Sequence, residues 1–192
     1  MATSLSDIRS RIERYVGEPL DNDWMIQVCN DAQAEFSLDI NIQDTDQLSL
    51  TTTDLSYILP TGLKIINRLW LQSDFDSGID KMFKWNYRTY GGNLIFTQPW
   101  IEVDTLNVDY YRNMLYFTDV DDVIDLDDRF SPLYVSYGQR EWYDLPTTKQ
   151  TLGEAQARKE WEKHNARYLN IKQQVTSYYA IQNEPVVIDE RW

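Results

Sequence analysis

Residues 48–72 read LSLTTTDLSYILPTGLKIINRLWLQ. This stretch decides the fold class, because here the apolar period changes from helical to alternating. Leu48 and Leu50 alternate with polar neighbours and lead into Thr51, Thr52 and Thr53, and such β-branched side chains fit a pleated, half-buried surface. Residues 55–59 continue extended up to Pro60, and the aliphatic run 63–72 reads as a further strand. Beyond a short stretch, 74–83, that contains Gly78 and suits one helical turn, the segments 85–90 and 93–98 flank Gly91-Gly92. That dipeptide suits a two-residue hairpin turn, which needs positive φ at both positions. Pro99 ends the second segment. Leu106, Val108 and Tyr110 then alternate with Asn107, Asp109 and Tyr111, the pattern of a half-buried strand.

Helical patterns lie on both sides of this block. Upstream, Ser4-x-x-Asp7 reads as a capping box, and Leu5, Ile8, Ile12 and Tyr15/Val16 form one stripe that stops at Gly17-Glu18-Pro19. A second helix starts at Asp21, with Trp24, Val28, Ala32 and Phe36 as its buried face. Residues 37–47 are polar and acidic and read as a loop. Downstream, the acidic stretch 119–128 leads to Ser131-Pro132, an N-cap followed by proline at the first helical position. That helix runs to about Tyr143. The last helix opens at Thr151-x-x-Glu154 and meets no breaker before Pro185, so at about 1.5 Å per residue it reaches over 40 Å. Its apolar positions are sparse: Ala157, Trp161, Tyr168, Ile171, Val175 and Tyr178/Tyr179. Strands in one block with helices at both ends predict an α+β fold. In order, it has an N-terminal helical hairpin, central antiparallel strands, two C-terminal helices with the last one long, and an extended tail. Residues 1–180 are expected to form a single α+β domain and residues 181–192 an extended docking tail.

Composition excludes several kinds of chemistry. The 192 residues carry 18 Lys and Arg against 31 Asp and Glu, a net charge of −13. Adhesive binding of nucleic acid over a broad surface is excluded by that balance, since such affinity comes from cations that displace condensed counterions. One cysteine, Cys29, allows no intrachain disulfide or Cys-rich zinc site, and one histidine, His164, no multi-histidine site. No phosphate-binding glycine cluster, secretory h-region or apolar run of about 20 residues occurs, so a soluble, unsecreted protein with no membrane association is expected.

The remaining reactive patterns have bland readings. Asp119, Asp121, Asp122, Asp125, Asp127 and Asp128 fail as an EF-hand, since Ile124 stands at the glycine position and Phe130 at that of the bidentate glutamate. They read as a solvated loop that favours the following helix start. Glu160-Trp161-Glu162-Lys163 lies mid-helix in a charge ladder, away from any strand-borne aspartate, and does not read as a nuclease triad. His164 is read as a surface partner of Glu160, and Cys29 as a small buried hydrophobe. No catalytic residue, metal site or cofactor site is expected, and no enzymatic activity. The informative surplus is 13 Tyr and 7 Trp against 6 Phe. Side chains with an apolar body and a polar tip are enriched at interfaces, so an assembly subunit explains them collectively. The rival reading is a tail or baseplate accessory or carbohydrate-binding module that stacks sugars on Trp85, Tyr90 and Trp100.

In the order of its features, the chain resembles the head-to-tail adaptor (connector, head-completion) proteins of tailed bacteriophages. The resemblance spans roughly residues 20–180. It comprises the N-terminal helix pair, Tyr57-Ile58-Leu59-Pro60 followed by LKIINRLWL, and Asn93-Leu94-Ile95-Phe96-Thr97-Gln98-Pro99. Leu106 to Arg112, the Asp-rich segment, the helix FSPLYVSYGQREWYDL and a long charged helix complete it. The resemblance implies a structural virion protein, made in the host cytoplasm and placed at the head–tail junction. It implies a homo-oligomeric ring, usually of twelve copies, bound to the portal protein, with a tail or nozzle protein attached and DNA passing without specific binding. The long helix and tail are then docking elements, with Trp161, Tyr168, Val175, Tyr178, Tyr179, Val186, Val187, Ile188 and Trp192 as interface candidates. Asp119, Asp121, Asp122 and Asp125 are candidate lumen acids, which would repel the phosphate backbone in transit.

Overall fold

A computed structural model of the chain describes residues 2–37, 39–73 and 87–182. The fold class is α+β: among the described residues five helices accompany two small antiparallel sheets. The described residues fall into two compact units, those of 2–40 with 114–182 and those of 41–113.

In the first unit, α1 (Leu5–Val16) starts where its sequence signature predicts. The Ser4 hydroxyl accepts the Asp7 N–H at 3.3 Å, and the Asp7 carboxylate accepts the Ser4 N–H at 3.1 Å. The free N–H groups of Leu5 and Ser6 donate to the carbonyls of Asp122 and Val120, at 3.0 and 2.8 Å. The acidic loop thereby satisfies donors that a helix start leaves unpaired. α2 (Asn22–Phe36) is capped by Asp21 and buries Met25, Val28, Cys29, Ala32 and Phe36. Trp24, expected on that face, is only half-buried and meets Trp142 edge-on, with ring centroids 6.4 Å apart.

α3 (Pro132–Asp144) is the centre of this unit: every residue from Leu133 to Gln139 is buried. Ser131 does not cap it through its side chain; the hydroxyl instead accepts from Arg11 at 2.8 Å. Three helices, not two, complete the C-terminal side. Pro146 starts a separate short helix, α4 (Pro146–Leu152), which Gly153 ends at φ 84°. Thr151 therefore lies inside α4, where its hydroxyl donates to the Thr147 carbonyl at 3.0 Å, and is not the cap of the last helix. α5 (Glu154–Gln182) follows directly, 29 residues long.

The second unit holds β1 (Ile42–Leu50), β2 (Ser56–Ile58), β3 (Leu63–Leu71), β4 (Tyr87–Tyr90), β5 (Asn93–Phe96) and β6 (Asp104–Arg112). One sheet has the order β1-β6-β3 and the other β2-β5-β4, all pairs antiparallel. Between the sheets lie Leu48, Leu50, Tyr57, Leu59, Leu69, Leu94, Phe96, Leu106, Val108 and Tyr110. Gly91 and Gly92, at φ 56° and 76°, make the predicted hairpin turn. The stretch read as a loop differs: residues 42–47 are the first two-thirds of β1, paired in register with β6. Its polar side chains are matched across the strands, Asp44 with Arg112, Thr45 with Asp109 and Gln47 with Asn107. The helical turn expected in 74–83, and Trp85, lie outside the described residues.

Candidate interaction surfaces

α5 is held by a narrow seam. Ala157, Trp161, His164, Tyr168, Ile171, Val175 and Tyr178 follow a 4-3-4-3-4-3 spacing, the period that keeps one line of a helix against a neighbour. Ala157, His164, Tyr168 and Val175 are buried, and Trp161, Ile171 and Tyr178 are half-buried. Tyr168 and Val175 are fully enclosed at 0% exposure and so hold α5 on its own unit; neither is open to a partner in this conformation. His164, read as a surface residue, is 1% exposed because it occupies a seam position.

Cations stacked on tyrosines reinforce the seam. The Arg140 guanidinium lies 4.1 Å from the Tyr137 ring centroid and 4.9 Å from that of Tyr168. Near the other end, Arg129 lies 4.2 Å over Tyr178, donates to its hydroxyl at 2.7 Å and pairs with Asp127 at 2.9 Å. The Asp127 N–H donates to the Tyr179 hydroxyl at 3.2 Å. Tyr178 and Tyr179 are thus half-buried, tied to the end of the acidic loop. Beside this clamp runs a hollow of about 670 Å³ lined by Phe130, Pro132, Ala166, Arg167, Ile171 and Gln174. Val186, Val187, Ile188 and Trp192 lie outside the described residues.

The acidic loop is ordered by its own carboxylates. Asp122 accepts from the N–H groups of Thr118 and Asp119, at 2.6 and 2.9 Å, and from the Thr118 hydroxyl at 3.2 Å. The Thr118 N–H, above all, holds this carboxyl below the usual range. Asp119 accepts the Asp121 N–H, and Asp125 accepts the Leu115 N–H at 2.8 Å. Asp119 and Asp121 are exposed, while Asp122 and Asp125 are half-buried. Among the described residues, no group of three or more His, Cys, Asp or Glu side chains is placed to hold a metal ion. Leu115, Tyr116 and Val123 stand exposed on the same loop, at 59%, 70% and 51%, so it presents apolar and acidic groups together. Their irregular spacing carries no periodic signal, which is why sequence reasoning passed over them.

In the second unit, Tyr90 is 77% exposed and lines a hollow of about 680 Å³ between the Pro60–Gly62 and Gly91–Gly92 turns. Trp100 is half-buried, its ring 6.3 Å from Phe96, and packs on the core. Cys29 is enclosed at 1% exposure, and burial pushes its thiol up to about 12. The tyrosine surplus is in large part internal: Tyr57, Tyr110, Tyr134, Tyr137, Tyr143 and Tyr168 are all buried. Among the described residues no helix is long and apolar enough to cross a membrane. No family model matches the chain, and no curated protein matches it.

Proposed function

We propose that this chain is a structural head–tail adaptor of a tailed bacteriophage, a ring-forming protein that joins the portal to the tail and continues the DNA channel. The supporting observation is the element order. A helix pair, a strand unit inserted in the chain, an acidic loop, a buried helix and a 29-residue helix follow the ordered features of the resemblance. The loop that exposes Leu115, Tyr116 and Val123 beside acids is a surface suited to neighbours, since grouped exposed apolar side chains mark interaction sites. A ring multiplies the charge of −13, and a negative lumen lets DNA pass without adhesion. Asp119 and Asp121 are the exposed acids for that wall, with Asp122 and Asp125 holding its backbone.

The test is the particle mass of the purified full chain, alone and with the portal protein of the same phage, by native mass spectrometry. A ring on the portal is the expected result, weakened when residues 181–192 are deleted. A monomer under both conditions overturns the reading. Sugar binding by that monomer would favour the accessory-module reading instead.

A further inference from the structure

The seam of α5 contains one side chain whose chemistry exceeds its packing role. The His164 ring lies flat on Tyr143, with centroids 5.6 Å apart and planes 9° apart, and meets the edge of Tyr15 at 4.9 Å and 83°. Both ring nitrogens are enclosed and have no hydrogen-bond partner. The nearest carboxylate oxygen, Glu160 Oε2, is 3.9 Å from Nε2, beyond hydrogen-bond reach. That oxygen already accepts from Lys163 at 3.0 Å and from the Tyr15 hydroxyl at 3.4 Å. A leucine would fill the same seam; only an imidazole changes charge between about pH 5 and 8.

We propose that His164 is an acid-sensitive latch between α5 and the α1–α3 pair: proton uptake by its imidazole releases the N-terminal half of α5. A neutral imidazole has one donor and one acceptor to leave unpaired, and it packs flat on Tyr143 and edge-on to Tyr15. An imidazolium carries two donors, and the enclosed site offers them only the Glu160 carboxylate at 3.9 Å, already engaged by Lys163, so the buried charge is poorly compensated and costly. The groups that face it are Glu160, Lys163 and Arg167 of α5, Tyr15 of α1 and Tyr143 of α3. Burial, then Lys163 and Arg167, disfavour the charged ring, against the pull of Glu160. Glu160 is itself held below the usual carboxylate range, first by Lys163, so it stays ionised and paired while the histidine titrates.

The sign follows from linkage. The packed form prefers the neutral ring, so the latch is closed above the free imidazole value of about 6.5 and weakens as pH falls toward the lower packed value. Within that window, opening rises by up to about tenfold per pH unit. The carboxylates of Asp7, Asp122 and Asp127 are all lowered, so their acid response lies below this window.

The experiment compares the full chain with His164→Phe, which keeps an aromatic ring and removes the titration. Amide hydrogen exchange across residues 155–168 is followed at about pH 7.5 and 5.5, and the imidazole of the wild type is titrated by NMR. Protection lost in acid by the wild type and kept by His164→Phe, with an imidazole that titrates below 6.5, is the expected result. An equal pH response in both proteins overturns the latch. If the variant does not fold, the wild-type titration decides, and an imidazole titrating at or above 6.5 in the folded chain overturns it.

Discussion

The Asn30 side chain grips the backbone of Phe117 through both of its polar atoms: Nδ2 donates to the carbonyl at 3.0 Å, and Oδ1 accepts the N–H at 2.8 Å. One amide of α2 thus imitates a strand pairing for a segment that has none, and seats Phe117 against Tyr134, with ring centroids 5.9 Å apart. It pins the start of the acidic loop, just as the α1 donors pin its middle.

Asn30→Ala is therefore expected to destabilise the protein by about 1–3 kcal/mol, the cost of leaving a part-buried donor and acceptor unpaired. Asn30→Asp should cost at least as much, because a carboxylate still accepts the N–H but turns an oxygen toward the carbonyl. Urea unfolding of the two variants is the check; a loss below about 0.5 kcal/mol, typical of a surface site, would count against the role of this clamp.

Gly138 marks a close approach of α3 to α1. A β-carbon there would stand 2.5 Å from Ile12 Cδ1, and Ile12 is fully buried. Gly138→Ala gains about 1 kcal/mol of helix propensity but forces an enclosed side chain to move, and overpacking costs about 1–3 kcal/mol. The single variant should be less stable than wild type. Ile12→Val removes the clashing methyl, so the double variant should be more stable than the sum of the two changes implies. Thermal unfolding of the four proteins measures this coupling, and simple additivity would refute it.

What was legible in the sequence was local chemistry. Ser4 with Asp7 placed the start of α1, and Gly91-Gly92 placed a hairpin, because each signal is complete within a few residues. The first two-thirds of β1 was illegible for the opposite reason. Asp44, Thr45 and Gln47 look like a loop until β6 supplies Arg112, Asp109 and Asn107 from sixty or more positions away. His164 does not stand out among apolar positions, yet with it the 4-3 spacing of the seam skips no position. The aromatic surplus could not be apportioned between core and surface, since a tyrosine stacked under Arg140 and one exposed at position 90 have the same composition.

Tyr57 secures the turn that links the two sheets of the second unit. Its hydroxyl accepts the Thr51 N–H at 3.0 Å and donates to the Asp54 carbonyl at 3.1 Å, while its ring meets Phe96 at 5.7 Å. Tyr57→Phe keeps the ring and removes both bonds, for an expected loss of about 1–2 kcal/mol. Faster amide exchange at Thr51 should accompany it. Unchanged exchange there would show that the hydroxyl is not what orders the turn.

Asp44 and Arg112 form a diagonal pair across β1 and β6, since Asp44 lies opposite Tyr110 and Arg112 opposite Ile42. The Arg112 Nε donates to the Asp44 carboxylate at 2.8 Å, and this bond is the main reason the carboxyl sits below its ordinary value of 3.8. A carboxylate whose folded value is depressed contributes stability that is present above the unfolded value and lost as pH falls through the folded one. The Asp44 side chain is 44% exposed, so solvent screening limits that contribution to no more than about 1 kcal/mol. Asp44→Asn should therefore cost little at neutral pH and flatten the loss of stability below about pH 4. Urea midpoints between about pH 3 and 7 measure both effects. Because the pair is partly exposed, the wild-type advantage should also shrink in high salt. A variant that keeps the full acid response would move the cause from β1 to the carboxylates of the acidic loop, where Asp122 is lowered in the same direction.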